Sequence, residues 1–210
     1  SNLVVLDNQA AGYNIGEAGA GNAVNIVFSD AATKTLTLGN AGGARTYHVN
    51  MHSANIKGNV VTGHNGVIVH GTIGTADNTG ANKNLELFTV NHNMSFGGTM
   101  YTPVVIADKT LKILDNDTKL SKIDGDGLGG GSGRGLVEID ATGVEFNGLV
   151  SSGSGIWGIG INDAKSATLK ANATLLGSGA AGGLEFRGAG AAFTIKGATL
   201  TLANGARSEE

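Results

Sequence analysis

Short runs of strictly alternating apolar and polar residues recur along the whole chain, and most of them break at glycine or asparagine. From Tyr47 to His52, Tyr47, Val49 and Met51 share one side while His48, Asn50 and His52 share the other. Between Gly143 and Asn147, Val144 and Phe146 point together and Glu145 points away. The stretches 34–38, 66–73, 84–88, 136–140, 192–196 and 198–202 follow the same rule. A period of two is what a half-buried strand requires. No run carries a convincing 3.6-residue period, and no helix cap opens an amphipathic stretch. The pattern predicts an all-β chain.

Degenerate repeats narrow the architecture. An apolar residue, Ser or Glu, Phe, any residue and Gly occur in that order from Met94 to Gly98, Val144 to Gly148 and Leu184 to Gly188. A second half-motif, Thr-Leu followed by Thr or Lys and then an apolar residue, begins at Thr35, Thr110, Thr168 and Thr199. Recurrence of this kind suits a parallel β-solenoid, in which each turn of chain stacks on the one before. A β-sandwich or jelly roll is the alternative, although it gives no reason for one half-motif to return. With ~20 residues per coil and ~4.8 Å between coils, the chain makes about ten coils and a rod of about 50 Å. Val144, Phe146, Leu184, Phe186, Leu200 and Leu202 are then expected in one continuous core.

Composition sharpens the picture. The chain has 36 Gly, 20 Asn, one Pro and no Cys among its 210 residues. Gly and Asn most readily adopt positive φ, so the strands are joined by sharp turns. Aromatics make up only 5% against 40% hydrophobic residues overall, which predicts a narrow core of Val, Ile, Leu and Ala. A net charge of −3 offers nothing to attract nucleic acid or an anionic membrane. No apolar run approaches the ~18 residues of a membrane helix. Without cysteine there is neither a disulfide framework nor a Cys-ligated metal. Ser1 and Asn2 read as a cloning scar on an excised segment. Residues 1–210 read as one solenoid, and the glycine-rich run 125–135 as a loop projecting from it rather than a linker.

Candidate chemistry is sparse. Asp115, Asp117, Asp124 and Asp126 crowd one stretch, and hard cations such as Ca²⁺ take several carboxylate oxygens. Lys119 and Leu120 break the EF-hand spacing, and a solvated acidic loop balanced by Lys119, Lys122 and Arg134 accounts for the cluster. Asp126 and Arg134 are the candidate contact residues of the projecting loop. Gly125, Gly127 and Gly130 satisfy a dinucleotide fingerprint in letters only, since more glycine follows instead of a helix. His48 and His52 lie ~13 Å apart along a strand, too far for one metal, so ligation needs His64, His70 or His92 from a neighbouring coil. Glu138, Asp140 and Glu145 point outward and are the carboxylates that stacking could bring together for glycan chemistry. Tyr101 and Trp157 read as corner packing, with stacking against a sugar as the alternative. No catalytic residue and no cofactor is assigned.

The Thr-Leu-Thr-Leu strands followed by Gly-Asn or Ala-Asn-Gly, the Phe-Gly-Gly turn, the sparse charge and the missing cysteine resemble passenger domains of bacterial autotransporters. The nearest likeness is to rickettsial-type surface antigens, then to adhesin passengers more generally. The resemblance covers most of the chain but rests on composition and degenerate repeats. It implies a right-handed parallel β-helix, exported through a C-terminal outer-membrane barrel of the parent chain and displayed extracellularly on the bacterial surface. The function it implies is adhesion to a host-cell protein or glycan, or service as a stalk for an adhesive region. A solenoid glycan-active enzyme, lyase or hydrolase, is the alternative.

Overall fold

The structure is a computed structural model that describes residues 2–19, 21–128, 135–151, 153–177 and 183–203, and the backbone of 208–209. These residues form 22 strands and no helix. All the pairings between strands are parallel. They stack as a β-solenoid of about eight turns. Paired strands on successive rungs are 16 residues apart at the shortest (Phe88 to Val104) and 28 at the longest (Asn59 to Leu87). The expected ten coils assumed too short a repeat, because the turns take up more chain than anticipated.

The chain visits three faces in a fixed order. On the first face lie β1 (Asn2–Val5), β3 (Val24–Phe28), β12 (Lys119–Leu120), β15 (Val144–Phe146), β17 (Ser166–Leu169) and β20 (Ala192–Ile195). The second face stacks β2 (Gln9–Ala11), β4 (Lys34–Leu38), β6 (Gly58–Thr62), β8 (Leu87–Val90), β10 (Val104–Ile106) and β13 (Ile123–Gly125). It continues through single bridges at Val150 to β18 (Ala173–Leu175) and β21 (Leu200–Leu202). The third face opens with a bridge from Ile15 to Tyr47 and carries β5 (Thr46–Ser53), β7 (Val67–Ile73) and β9 (Met94–Met100). Above these come β11 (Thr110–Ile113), β14 (Leu136–Ile139), β16 (Gly158–Asn162), β19 (Gly183–Arg187) and β22 (Ser208–Glu209).

Strands β5, β7 and β9 are long because each runs unbroken from the third face onto the first. The corner in β7 and β9 is made at Gly71 and Gly98, with φ of 134° and 128°. A Cβ on Gly71 would collide with the Val49 carbonyl, and one on Gly98 with the Gly71 carbonyl. Only glycine permits both the dihedral and the close approach between coils. Beyond β9 the single strand becomes two: Met94–Phe96 pairs with β11, whereas Thr99 pairs with β12.

Inward residues form columns along the rod. Tyr47, Val69, Phe96, Ile113, Ile139 and Ile161 stack rung on rung and are all essentially inaccessible. Tyr47 keeps its hydroxyl satisfied by donating to the Ala11 carbonyl and accepting from the Gly39 amide at 2.7 Å. Burial pushes its phenol pKa up. Val144, Phe146 and Leu184 sit in this core as expected. Phe186, Leu200 and Leu202 are only partly buried against this core.

The glycine-rich run also differs from expectation at its ends. Gly125 is a buried residue of β13, and Gly135 is buried against Ile106. Asp126, Gly127 and Leu128 are exposed, and 129–134, including Arg134, lie outside the described residues.

Candidate functional site

Each face shows the solvent a different chemistry. On the first face the outward column is Asn2, Asn25, Asn50, Thr72, Thr99, Lys119, Glu145, Thr168 and Thr194. Its amides bond along the rod, Asn25 Nδ2 donating to Asn2 Oδ1 at 3.2 Å and the Thr72 amide to Asn50 Oδ1 at 3.1 Å. The second face presents Thr37, Val61, Thr89 and Val105 in register, ending at Asp124. Charge and imidazole gather on the third face.

Two outward columns run along that face. One reads Ser95, Lys112, Glu138, Gly160 and Glu185; the neighbouring one includes His48, His70 and Gly97, and later Asn162 beside Arg187. Glycine interrupts each column once, and a charged side chain from another rung lies over the gap. The Arg187 guanidinium occupies the space that a Gly160 side chain would need, and the Asp115 carboxylate does the same at Gly97.

Lying across Gly160, Arg187 reaches Glu185 at 3.2 Å and Glu138 at 3.7 Å. Lys112 reaches Asp140 at 3.5 Å and Glu138 at 4.0 Å. Asn162 Nδ2 donates to Glu138 Oε1 at 2.9 Å and to Asp140 Oδ1 at 3.1 Å, so those two oxygens lie within 6.0 Å of each other. The Asn162 hydrogen bond, aided by the Lys112 charge, holds the Asp140 carboxyl below its ordinary pKa despite partial burial. Beside the cluster is a surface hollow of about 280 Å³ lined by Asn93, Ser95, Thr110, Lys112 and Glu138.

Further along the face, His48 and His70 stack with ring centroids 4.8 Å apart and planes 7° from parallel. Asp115 Oδ2 meets His70 Nδ1 at 2.6 Å. Desolvation, then the neighbouring His70, lowers the pKa of His48, against the opposing pull of Asp115.

The structure separates the four aspartates proposed for calcium. Asp115 goes to His70, while Asp117 forms a turn at φ 60°. Asp124 accepts from the Gly153 amide at 2.9 Å and meets Lys122 at 3.9 Å. Asp126 accepts from the Leu128 amide at 2.9 Å. Among the described residues no three His, Asp or Glu side chains converge as metal ligands do. His52 sits on the first face, away from His48; His64 and His92 bond backbone carbonyls at 2.7 and 2.9 Å.

Of the three outward carboxylates, Glu138 and Asp140 come together, while Glu145 pairs with Lys170 at 2.7 Å across the first face. That bond holds the Glu145 pKa down. Tyr101 is 41% exposed and lines a hollow of about 220 Å³ with Lys119, Lys122 and Asn147. Trp157 is half-buried, its amide donating to Gly135. Sequence reasoning missed Lys112, Asn162 and Arg187 as members of the cluster. Glycine at an outward position of an alternating strand was the available signal. Comparison with known proteins found no matching family, no matching characterised protein and no matching solved structure.

Proposed function

We propose that this solenoid binds without chemistry, as an adhesive segment or a stalk displayed on a bacterial surface. The observation that carries the reading is the first face, whose outward Asn and Thr side chains repeat in register from β1 to β20. Such a column offers an amide or hydroxyl at every rung except those of Lys119 and Glu145, so a rod can make many weak contacts at once. Export through a barrel of the parent chain and a host-cell protein or glycan as partner belong to the same proposal. Weak contacts gain through multivalency, so the test compares host-cell binding by soluble monomer and by protein-coated beads. Coated beads should bind and monomer barely so; coated beads no better than blank ones would reduce the segment to a spacer.

The approach of Glu138 and Asp140 favours a second reading, a glycan-active enzyme, since paired carboxylates ~5 Å apart serve retaining hydrolysis. It ranks lower because both carboxylates are already held by Asn162 and Lys112. Asp140 is stabilised in its ionised form, which bars it from the general-acid role and leaves it only that of nucleophile. Product release from acidic or neutral polysaccharides, abolished by Glu138→Gln, would reverse the ranking.

A further inference from the structure

We propose that the corner between the first and second faces at Tyr101 binds one acidic sugar unit of a glycan. The corner lies in the middle of the rod, where the chain leaves β9, β12 and β15 on three successive rungs. Two residues beyond the paired Thr99 and Lys119 come Tyr101 and Ser121. One residue beyond the paired Leu120 and Phe146 come Ser121 and Asn147. Rung by rung, the corner therefore carries a large ring, a small hydroxyl and an amide. The Ser121 hydroxyl is tied back, donating to the Thr102 carbonyl. That leaves a gap between Tyr101 and Asn147, which are two rungs or about 9–10 Å apart. The gap is a hollow of about 220 Å³. Gly148 adds no side chain to it and lets its rung close tightly on the one before, since a Cβ there would strike the backbone of Ser121 and Lys122.

The walls have the chemistry of a sugar site. Tyr101 is exposed, yet its backbone is fixed on both sides. Its amide donates to the Ile73 carbonyl at 2.8 Å, and its carbonyl accepts from Asn84 Nδ2 at 3.0 Å. A ring held in this way offers its apolar body to the C–H face of a pyranose at little ordering cost. Asn147, also exposed, supplies an amide to sugar hydroxyls.

Charge narrows the ligand further. The lining contains two lysines and no carboxylate. Lys119 is exposed and makes no ion pair among the described residues. Its neighbour in register, Glu145, is taken by Lys170 at 2.7 Å. Lys122 is also exposed and meets Asp124 only at 3.9 Å. In a chain of net charge −3 this corner is locally cationic, which selects a sugar that carries a carboxylate. An extended peptide fits less well, because β12 and β15 are paired on both sides and leave no strand edge open. The inference rests on this corner and not on the adhesive reading.

Two-dimensional NMR of the isotope-labelled protein, titrated with oligosaccharides, tests it. A galacturonic acid trimer and sialyllactose carry the carboxylate on different sugars, maltotriose is the neutral control, and a triglutamate peptide probes for a plain anion site. Saturable shifts at Tyr101, Ser121 and Asn147 are expected with an acidic sugar, and the tighter of the two names its source. Tyr101→Ala should raise the Kd about tenfold, whereas Tyr101→Phe, which keeps the ring, should change it little. Lys119→Gln combined with Lys122→Gln should remove the preference for acidic over neutral sugar. Both lysines are exposed, so the melting temperature should hold, and this pair carries the test should Tyr101→Ala fail to fold. Absence of saturable shifts with both acidic sugars overturns the proposal, and so does equal binding of maltotriose. Equal shifts with triglutamate overturn it as well, reducing the corner to a plain anion patch. Cell attachment does not enter the readout, so failure here leaves the bead comparison untouched, and the reverse holds.

Discussion

Phe146, Leu169 and Ile195 occupy one inward column of the first face, yet only the first two are sealed. Phe146→Ala should cost about 3–5 kcal/mol, since neighbouring rungs cannot collapse onto the space a ring leaves. Ile195→Ala, in a half-exposed position, should cost about 1 kcal/mol or less. Chemical denaturation of the two variants measures the contrast. Equal losses would mean that the last coil is as well packed as the middle. The same scale governs the response to pH. His48 has its pKa lowered from 6.5, so the unfolded chain binds the proton more tightly. Its contribution is complete above about pH 6.5 and is lost as the pH falls toward the lowered value. Melting temperature should therefore decline in that window, and His48→Gln should flatten the decline. Asp140 and Glu145, whose pKa values are depressed from 3.8 and 4.5, act at lower pH. Their stabilisation is lost only as acid protonates them below those values.

At the scale of elements, the corner glycines are not interchangeable with those under the charged side chains. Gly71→Ala and Gly98→Ala each set a methyl against a carbonyl of the adjoining coil at positive φ. A loss of at least ~2–3 kcal/mol apiece is expected in the unfolding free energy. Gly97→Ala meets the Asp115 side chain, its Cβ included, rather than a backbone carbonyl, so that side chain should shift and release His70 at smaller cost than at the corners. A change in the His70 ring NMR signals at fixed pH would report loss of the Asp115 contact. Strands are legible because alternation is local: the alternating runs 47–52, 136–140 and 143–147 coincide with β5, β14 and β15 to within a residue at each end. The face each strand joins is not. The Phe-containing half-motif falls on the third face in β9 and β19 but on the first in β15, and Thr-Leu appears on all three. Every face asks only for residues that alternate, so a shared motif carries no address. The Glu138, Asp140 and Arg187 cluster was hidden for a related reason. Its members meet only through a register that depends on the length of every intervening turn.

For the molecule as a whole, each coil touches little beyond the coils on either side of it. The hydrogen bonds between rungs run along the rod, and the strands lie across it. A pull applied between the two ends of the chain therefore opens bonds one rung at a time rather than shearing many together. Held by its termini in a force spectrometer, the protein should lengthen at low load, in steps of a single coil, starting from an end. The same rod gripped across its width should resist far more. A rod built this way yields under tension without breaking, and regains its length when the load is removed.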